Sequence, residues 1–459
     1  MSERLIYGRQ LLKNELPFEL VQQLEHSNNA NTLHIQTQSG FNEDRKKWFC
    51  RRCKSEVKPM KPSYCQCSLE ECGYCTNCIQ MGKVKRCSTF YWLPEPNQFP
   101  RVENTLAWGG TLSDQQSQAA DDIIHSINHK ETRLIWAVAG AGKTEMLFKG
   151  IALSLERGYR IGIASPRVDV CLELYPRLQQ AFPKIPISLL YGGVDEPYEY
   201  TQLTIATTHQ LMRFKEAFDL LIIDEIDAFP FDVEKTLQTA AKQSRKTEST
   251  LIYLSATPNY EMQKQIKHKK LKASILPARY HGHPLPVPKI SSLSNWKKKL
   301  LQKDTPSKLY QHMDHLLSKK KRFLIFIPNI KWCREWEKVM RQKYNKYQFE
   351  CVHSRDEDRK EKVLLMRKES LDFLITTTIL ERGVTFKDID VIVVGADDGI
   401  FTESSLVQIS GRVGRSPQFP TGNITFYYEE ISLSMKRAIK QIKRMNKMAK
   451  KRGLLHGKS

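Results

Sequence analysis

The sequence predicts an α/β protein with two parallel-sheet domains in tandem behind a small cysteine-rich module. Three observations carry that prediction. Short β-branched runs alternate with helix-like stretches from about residue 101 onward. Eight of the 11 cysteines fall between Cys50 and Cys87. Proline-punctuated breaks, LPEPNQFPR (93–101) and LPARYHGHPLPVPK (276–289), separate the parts.

The 459 residues suffice for about three domains. No run approaches the roughly 20 apolar residues that span a bilayer. The opening MSERLIYGRQLLKNELPF lacks the apolar centre of a secretory signal, so a cytosolic protein is expected. Lys and Arg number 72 against 50 Asp and Glu, a formal charge of +22. Charge concerns partners rather than fold, and a polyanion is the obvious candidate; a merely basic, soluble surface is the bland one.

In chain order, residues 1–45 are polar and mixed, with little periodicity. Residues 46–100 form the cysteine module. CRRC (Cys50, Cys53) and CTNC (Cys75, Cys78) give C-x2-C, a spacer of 21 and C-x2-C, the spacing of two knuckles that close a tetrahedral thiolate site for Zn2+. Clustering without an export signal favours metal over disulfides. Cys65, Cys67, Cys72 and Cys87 lie nearby, and Cys72 and Cys75 also have C-x2-C spacing. One zinc site with four further thiols is the expected arrangement; two sites, or an iron–sulfur cluster, are the alternatives.

Residues 101–285 carry the runs RLIWAV, YRIGIASP, QLTIATT, FDLLIIDE and STLIYLSAT, read as strands of the first domain. RLIWAV leads into AVAGAGKT, a strand followed by a glycine-rich loop and a helix. Ala139, Gly140, Ala141 and Gly142 let backbone amides approach a phosphate chain, Lys143 neutralises the β- and γ-phosphates, and Thr144 holds Mg2+. The expected ligand is ATP. LLIIDEIDAF places Asp224 and Glu225 at the carboxyl end of a buried strand, where open α/β sheets bind ligands. Asp224 serves Mg2+, and Glu225 orients and deprotonates the attacking water. Paired acids at a strand end are often only a solvated turn, but these follow Lys143 by 81 residues in the same α/β unit. Residues 286–459 repeat the alternation in RFLIFIP, DFLITTT, DVIVVGA and ITFYY, and end in the basic stretch MKRAIKQIKRMNKMAKKRG.

The phosphate loop begins at Ala137 rather than glycine, as helicase-type loops commonly do. With that loop and DEID in hand, residues 105–430 resemble a superfamily-2 helicase core, which implies two RecA-like domains. By that resemblance Gln116, in LSDQQSQAA, reads the adenine edge. SPRVDV and ATTHQLM grip the strand, with Arg167, Thr207, Thr208 and His209 as candidates; Thr376 and Thr378 join them from TTTILERGVTF. Ser255 and Thr257, in SATP, couple the phosphate and DNA sites. Gln408, Arg412 and Arg415, in QISGRVGR, approach the triphosphate from the second domain, so closure of the domains would drive movement. Ile226 and Asp227 make the box DEID rather than DEAD or DEAH. Gln408 in place of His argues against RNA-remodelling enzymes and toward DNA-directed relatives.

A zinc module ahead of such a core, with YCTNCIQMGKV after CRRC, resembles the competence DNA-uptake ATPases of Gram-positive bacteria, the ComFA family. The resemblance implies ATP-driven handling of incoming single-stranded DNA at the inner face of the cell membrane. Its partners would be the DNA-import channel and cytosolic competence proteins. A replication-restart or repair helicase is the alternative in the same class; a nonenzymatic, ATP-switched adaptor that recruits through the zinc module is the alternative in another. Direct DNA contact by His353, Ser354 and the basic C-terminal stretch is weighed against plain packing of a strand end and a docked helix.

Overall fold

The structure, a computed structural model, describes residues 2–26, 35–58, 65, 67, 69, 72–193, 198–301 and 307–456. The chain divides into two compact units, residues 1–135 with 144–274, and 136–143 with 275–459. Residues 136–143, the phosphate loop, group with the second unit.

A seven-stranded sheet runs in the order Lys272–Leu276, Thr132–Ala137, Arg245–Ser255, Phe218–Ile223, Ile161–Ser165, Leu203–Thr207, Ile187–Leu190. Ile161–Ser165 and Leu203–Thr207 are buried throughout, which is why they read as continuous apolar or small-residue runs without alternation. Ile222 pairs in parallel with Ile163 on one side and Ile252 on the other. The sheet order places Arg245–Ser255 between the strand that leads to the phosphate loop and the strand that ends in the acids.

The second unit holds a six-stranded sheet ordered Lys289–Ser292, Ile424–Tyr428, Ile389–Val394, Arg322–Phe326, Phe373–Thr376, Phe349–Val352. Its five neighbour pairs are parallel. Phe373 stacks on Phe323 and Phe349 with ring centroids 5.1 and 4.5 Å away. Trp336 and Met340, buried on the helix Ile330–Lys343, pack onto the same core. The basic C-terminal stretch is the helix Leu433–Lys451, docked through Met435, Ala438, Ile442, Met445 and Ala449 while Lys436, Lys440 and Lys443 remain exposed. Its charge is thus the solvated face of a packed helix.

The N-terminal part holds two three-stranded antiparallel sheets, Leu11–Leu12 with Thr89–Trp92 and Gln36–Ser39, and Phe41–Asp44 with Lys47–Cys50 and Glu56–Val57. The described residues before 46, featureless by periodicity, therefore interlock with the cysteine module. They also bind the first α/β unit: the Gln10 amide donates to the Arg213 carbonyl at 2.8 Å, and the Lys215 amide to the Gly8 carbonyl at 2.9 Å. A buried ion pair between Arg160 and Glu95 ties the linker after the module to that unit. Among the described residues no helix is long and apolar enough to cross a membrane.

Candidate nucleotide site and cysteine module

The buried strand Thr132–Ala137 delivers the phosphate loop. Ala137 is its last residue and is fully buried, so a small apolar side chain suits the position. Gly140 adopts φ +83°, left-handed backbone that turns loop amides toward a common point and that a Cβ would strain. The Ala141 amide donates to the Val138 carbonyl at 3.1 Å and closes the turn. Ala139 and Ala141 are buried, while Gly140, Gly142 and Lys143 are partly open. Thr144, also buried, precedes the turn Glu145–Leu147 and the helix Phe148–Glu156, in the context that anion-binding loops require.

Within the second unit the loop packs against the segment 408–415. A Cβ built on Gly411 would lie 2.5 Å from the Ala139 Cβ, so this approach requires glycine. Gln408 and Arg412 are buried there. The Arg415 Nε donates to the Gly411 carbonyl at 3.2 Å and its Nη1 to the Thr385 hydroxyl at 3.0 Å.

Sequence reasoning missed Arg279, which lay in the proline-rich connector. Its guanidinium donates to the carbonyls of Gly414 and Gly411, and its stem lies against Gly140, where a Cβ would sit 3.5 Å from the Arg279 Cγ. Burial, with Arg415 nearby, lowers its pKa to about 9. Among the described residues its Nε has no hydrogen-bond partner and no carboxylate pairs with it. A buried cation so placed fits a triphosphate on the loop. The available signal was a single arginine shortly after the strand Lys272–Leu276, between Ala278 and Tyr280.

In the first unit the strand Phe218–Ile223 ends at the acids. Asp224 is buried, and its amide donates to the Ala164 carbonyl at 2.8 Å. Glu225 holds φ +56°, uncommon for a residue with a Cβ, and its amide donates to the Asp224 Oδ1 at 2.8 Å. The Arg167 Nε stands 4.0 Å from the Glu225 Oε2. Asp227, the fourth residue of the box, accepts from the Ser255 hydroxyl at 2.7 Å and the Thr257 hydroxyl at 2.5 Å. The Thr257 amide in turn donates to the Ser255 Oγ at 3.0 Å. The acidic turn and the SATP turn are thereby one hydrogen-bonded body.

The remaining expected residues divide by burial. Gln116 is buried at the start of the helix Asp114–His129, where its Oε1 accepts from the Ser113 amide at 2.9 Å, which orients the carboxamide. Thr207 and Thr208 are buried, and His209 is partly exposed just before the turn Gln210–Arg213. Among the described residues the Thr208 hydroxyl has no hydrogen-bond partner. Thr376 is wholly buried, with its hydroxyl donating to the Val352 carbonyl at 3.0 Å. Thr378 is half-buried at the start of the turn Thr378–Leu380. His353 is a packed strand-end residue that receives a hydrogen bond from the Arg334 Nε at 3.1 Å, and burial lowers its pKa.

In the module, Cys50, Cys53, Cys75 and Cys78 are all buried, with their Sγ atoms within 4.8 Å of one another. Cys50 and Cys78 are 3.8 Å apart, and Cys53 and Cys75 are 3.4 Å apart. A tetrahedral ion with Zn–S bonds of about 2.3 Å needs edges of about 3.8 Å, so the set fits zinc. Arg52, buried between the first pair, donates to the Met81 carbonyl and pairs with Glu15, which clamps the two knuckles from outside.

Residues 2–92 match the competence protein ComFA N-terminal domain. Residues 110–260 match the type III restriction enzyme res subunit, and 305–417 the helicase conserved C-terminal domain. The competence protein ComFA of Bacillus subtilis (strain 168) is 40% identical over 449 residues, covering 98% of this chain and 96% of that protein. The chain belongs to the ComFA family. ComFA of Streptococcus pneumoniae (strain ATCC BAA-255 / R6) is likewise 40% identical, over 89% of this chain and 92% of its own length. The DEAD-box helicase Mss116 bound to ssRNA and UDP-BeF shares the fold over 72% of this chain and 77% of its own, with TM-score 0.55 at 16% identity. This ComFA chain therefore carries two RecA-like domains of the superfamily-2 type behind a cysteine module, the architecture of an ATPase.

Proposed function

We propose that this ComFA chain is an ATP-driven motor on single-stranded DNA that draws transforming DNA across the cytoplasmic membrane. The observation that carries the reading is the Asp227 carboxylate, which accepts from both Ser255 and Thr257 on the same turn that presents Asp224 and Glu225. A change in the SATP turn, whether it begins at phosphate or at a bound strand, must move the hydrolytic acids with it.

In this mechanism the loop amides of 139–143 and Lys143 hold the β- and γ-phosphates. Thr144 and Asp224 would hold Mg2+, which would supply charge to neutralise the phosphates. Glu225 orients the attacking water and takes its proton on the carboxylate; its left-handed backbone presets the side chain. Arg412 and Arg415 stabilise charge on the transferring phosphoryl group, a contribution of about 10³–10⁵ in rate for an arginine finger. Gln116 reads the adenine. Arg167, Thr207, Thr208, His209 and Thr378 form the strand path, with Thr376 contributing through its backbone. Contacts made by hydroxyls and amides release readily in each cycle, as a motor requires. Cys50, Cys53, Cys75 and Cys78 hold Zn2+, which supplies the cross-link that a small module needs to stay folded. The protein works at the inner face of the membrane with the DNA-import channel and cytosolic competence proteins.

The test is displacement of streptavidin from biotinylated single-stranded DNA by the full chain. Displacement that requires hydrolysable ATP supports the motor. Strand-stimulated hydrolysis with no displacement from either end would leave an ATPase without movement and refute it.

A further inference from the structure

We infer that the module is built around a second, separate zinc site formed by Cys65, Cys67, Cys72 and Cys87. Their four Sγ atoms lie within 4.8 Å of one another. Cys87 stands 3.6 Å from Cys65 and 3.7 Å from Cys72. These separations match the edge of about 3.8 Å that a tetrahedron of Zn–S bonds near 2.3 Å requires. A disulfide needs about 2.05 Å between sulfurs. An iron–sulfur cluster, which inserts several irons and sulfides, would hold its outer thiolates wider apart than this. The Lys85 ammonium is 4.0 Å from the Cys65 sulfur, placed to offset the double negative charge of a zinc tetrathiolate.

Cys72 and Cys75 share C-x2-C spacing yet turn to different sites. In chain order the inner set takes Cys50, Cys53, Cys75 and Cys78, while the outer set takes Cys65, Cys67, Cys72 and Cys87. The sets interleave, so the loop closed by Cys72 and Cys87 encloses the inner pair Cys75 and Cys78. Closing that loop with metal reduces the freedom of the inner knuckle before it binds. The sets also differ in access. All four inner cysteines are buried, whereas Cys65 and Cys67 are half-buried and Cys87 is exposed. The outer ion is therefore the exchangeable one.

The test is metal content of the full chain, purified under reducing conditions and passed through metal-free buffer. Mass spectrometry of zinc should give two ions per chain, and a chelator should release them in two phases of equal size. The Cys65→Ser/Cys87→Ser variant should retain one ion and lose the fast phase. Substitution of the wild-type chain with Co2+ should give twice the thiolate-to-cobalt absorption of that variant, a readout that does not depend on the variant's activity. One ion per wild-type chain would overturn the inference, as would two ions in the double variant. An intact mass showing a disulfide among these four cysteines in the metal-replete protein would do the same. None of these readouts depends on ATP hydrolysis, so the proposal stands or falls apart from the motor.

Discussion

Ser255→Ala removes one oxygen atom and weakens the link between the acidic turn and the SATP turn, leaving the Thr257 hydroxyl on the Asp227 carboxylate. That oxygen donates to the Asp227 carboxylate at 2.7 Å and accepts from the Thr257 amide at 3.0 Å, at a residue with no solvent exposure. A hydrogen bond to a charged group contributes about 1.5–3 kcal/mol, and here no water replaces the lost hydroxyl readily. Where the two turns must move together in the stimulated step, the lost bond falls on that step. At 1.36 kcal/mol per decade that is a loss of about ten- to 150-fold in the stimulated rate. The ATP KM should change little, because Ser255 lies outside the phosphate loop. The assay is steady-state hydrolysis with and without single-stranded DNA, alongside Thr257→Ser, which keeps its hydroxyl and should keep most of the stimulation. A Ser255→Ala chain stimulated as strongly as wild type would refute the coupling.

Three further outcomes are expected. Lys143→Ala should abolish hydrolysis while circular dichroism and zinc content stay unchanged; full residual hydrolysis would remove the phosphate loop from the mechanism. Gly411→Ala places a methyl group 2.5 Å from the Ala139 Cβ, an overpacking of about 1–3 kcal/mol that must displace the loop or its neighbour. A fluorescent ATP analogue should then bind at least several-fold more weakly, and unchanged affinity would contradict the packing. Arg279→Met deletes the buried guanidinium and should weaken nucleotide binding tenfold or more, with only partial rescue in Arg279→Lys, which cannot reproduce the fork to Gly411 and Gly414. Wild-type affinity in Arg279→Met would reduce this arginine to a structural strut.

The parts of this protein that were legible in the sequence are those whose chemistry is local. Strands such as LLIIDE announce themselves because both faces are buried, and a phosphate loop is recognisable because its glycines, lysine and threonine act within six residues. The inner cysteine set was readable for the same reason, since each C-x2-C pair is a local bend. What escaped was set by distant partners. Nothing near Arg279 in the chain indicates that Gly140 and Gly414 converge on it. Nothing near Thr376 in the chain indicates that its hydroxyl bonds the Val352 carbonyl. The outer cysteines have irregular spacing, C-x-C-x4-C-x14-C, and only the fold gathers them. Strands Leu11–Leu12 and Gln36–Ser39 seemed featureless because their order comes from pairing with Thr89–Trp92, not from their own periodicity.

The central claim is that a single DNA strand controls the phosphate chemistry of Lys143, Glu225, Arg412 and Arg415. Its most direct test is ATP hydrolysis by the purified full chain alone and with single-stranded DNA, duplex DNA or RNA. Single-stranded DNA should stimulate hydrolysis strongly, with duplex DNA and RNA far weaker. Hydrolysis that no polymer stimulates, or that forked duplex or RNA stimulates equally well, would contradict it.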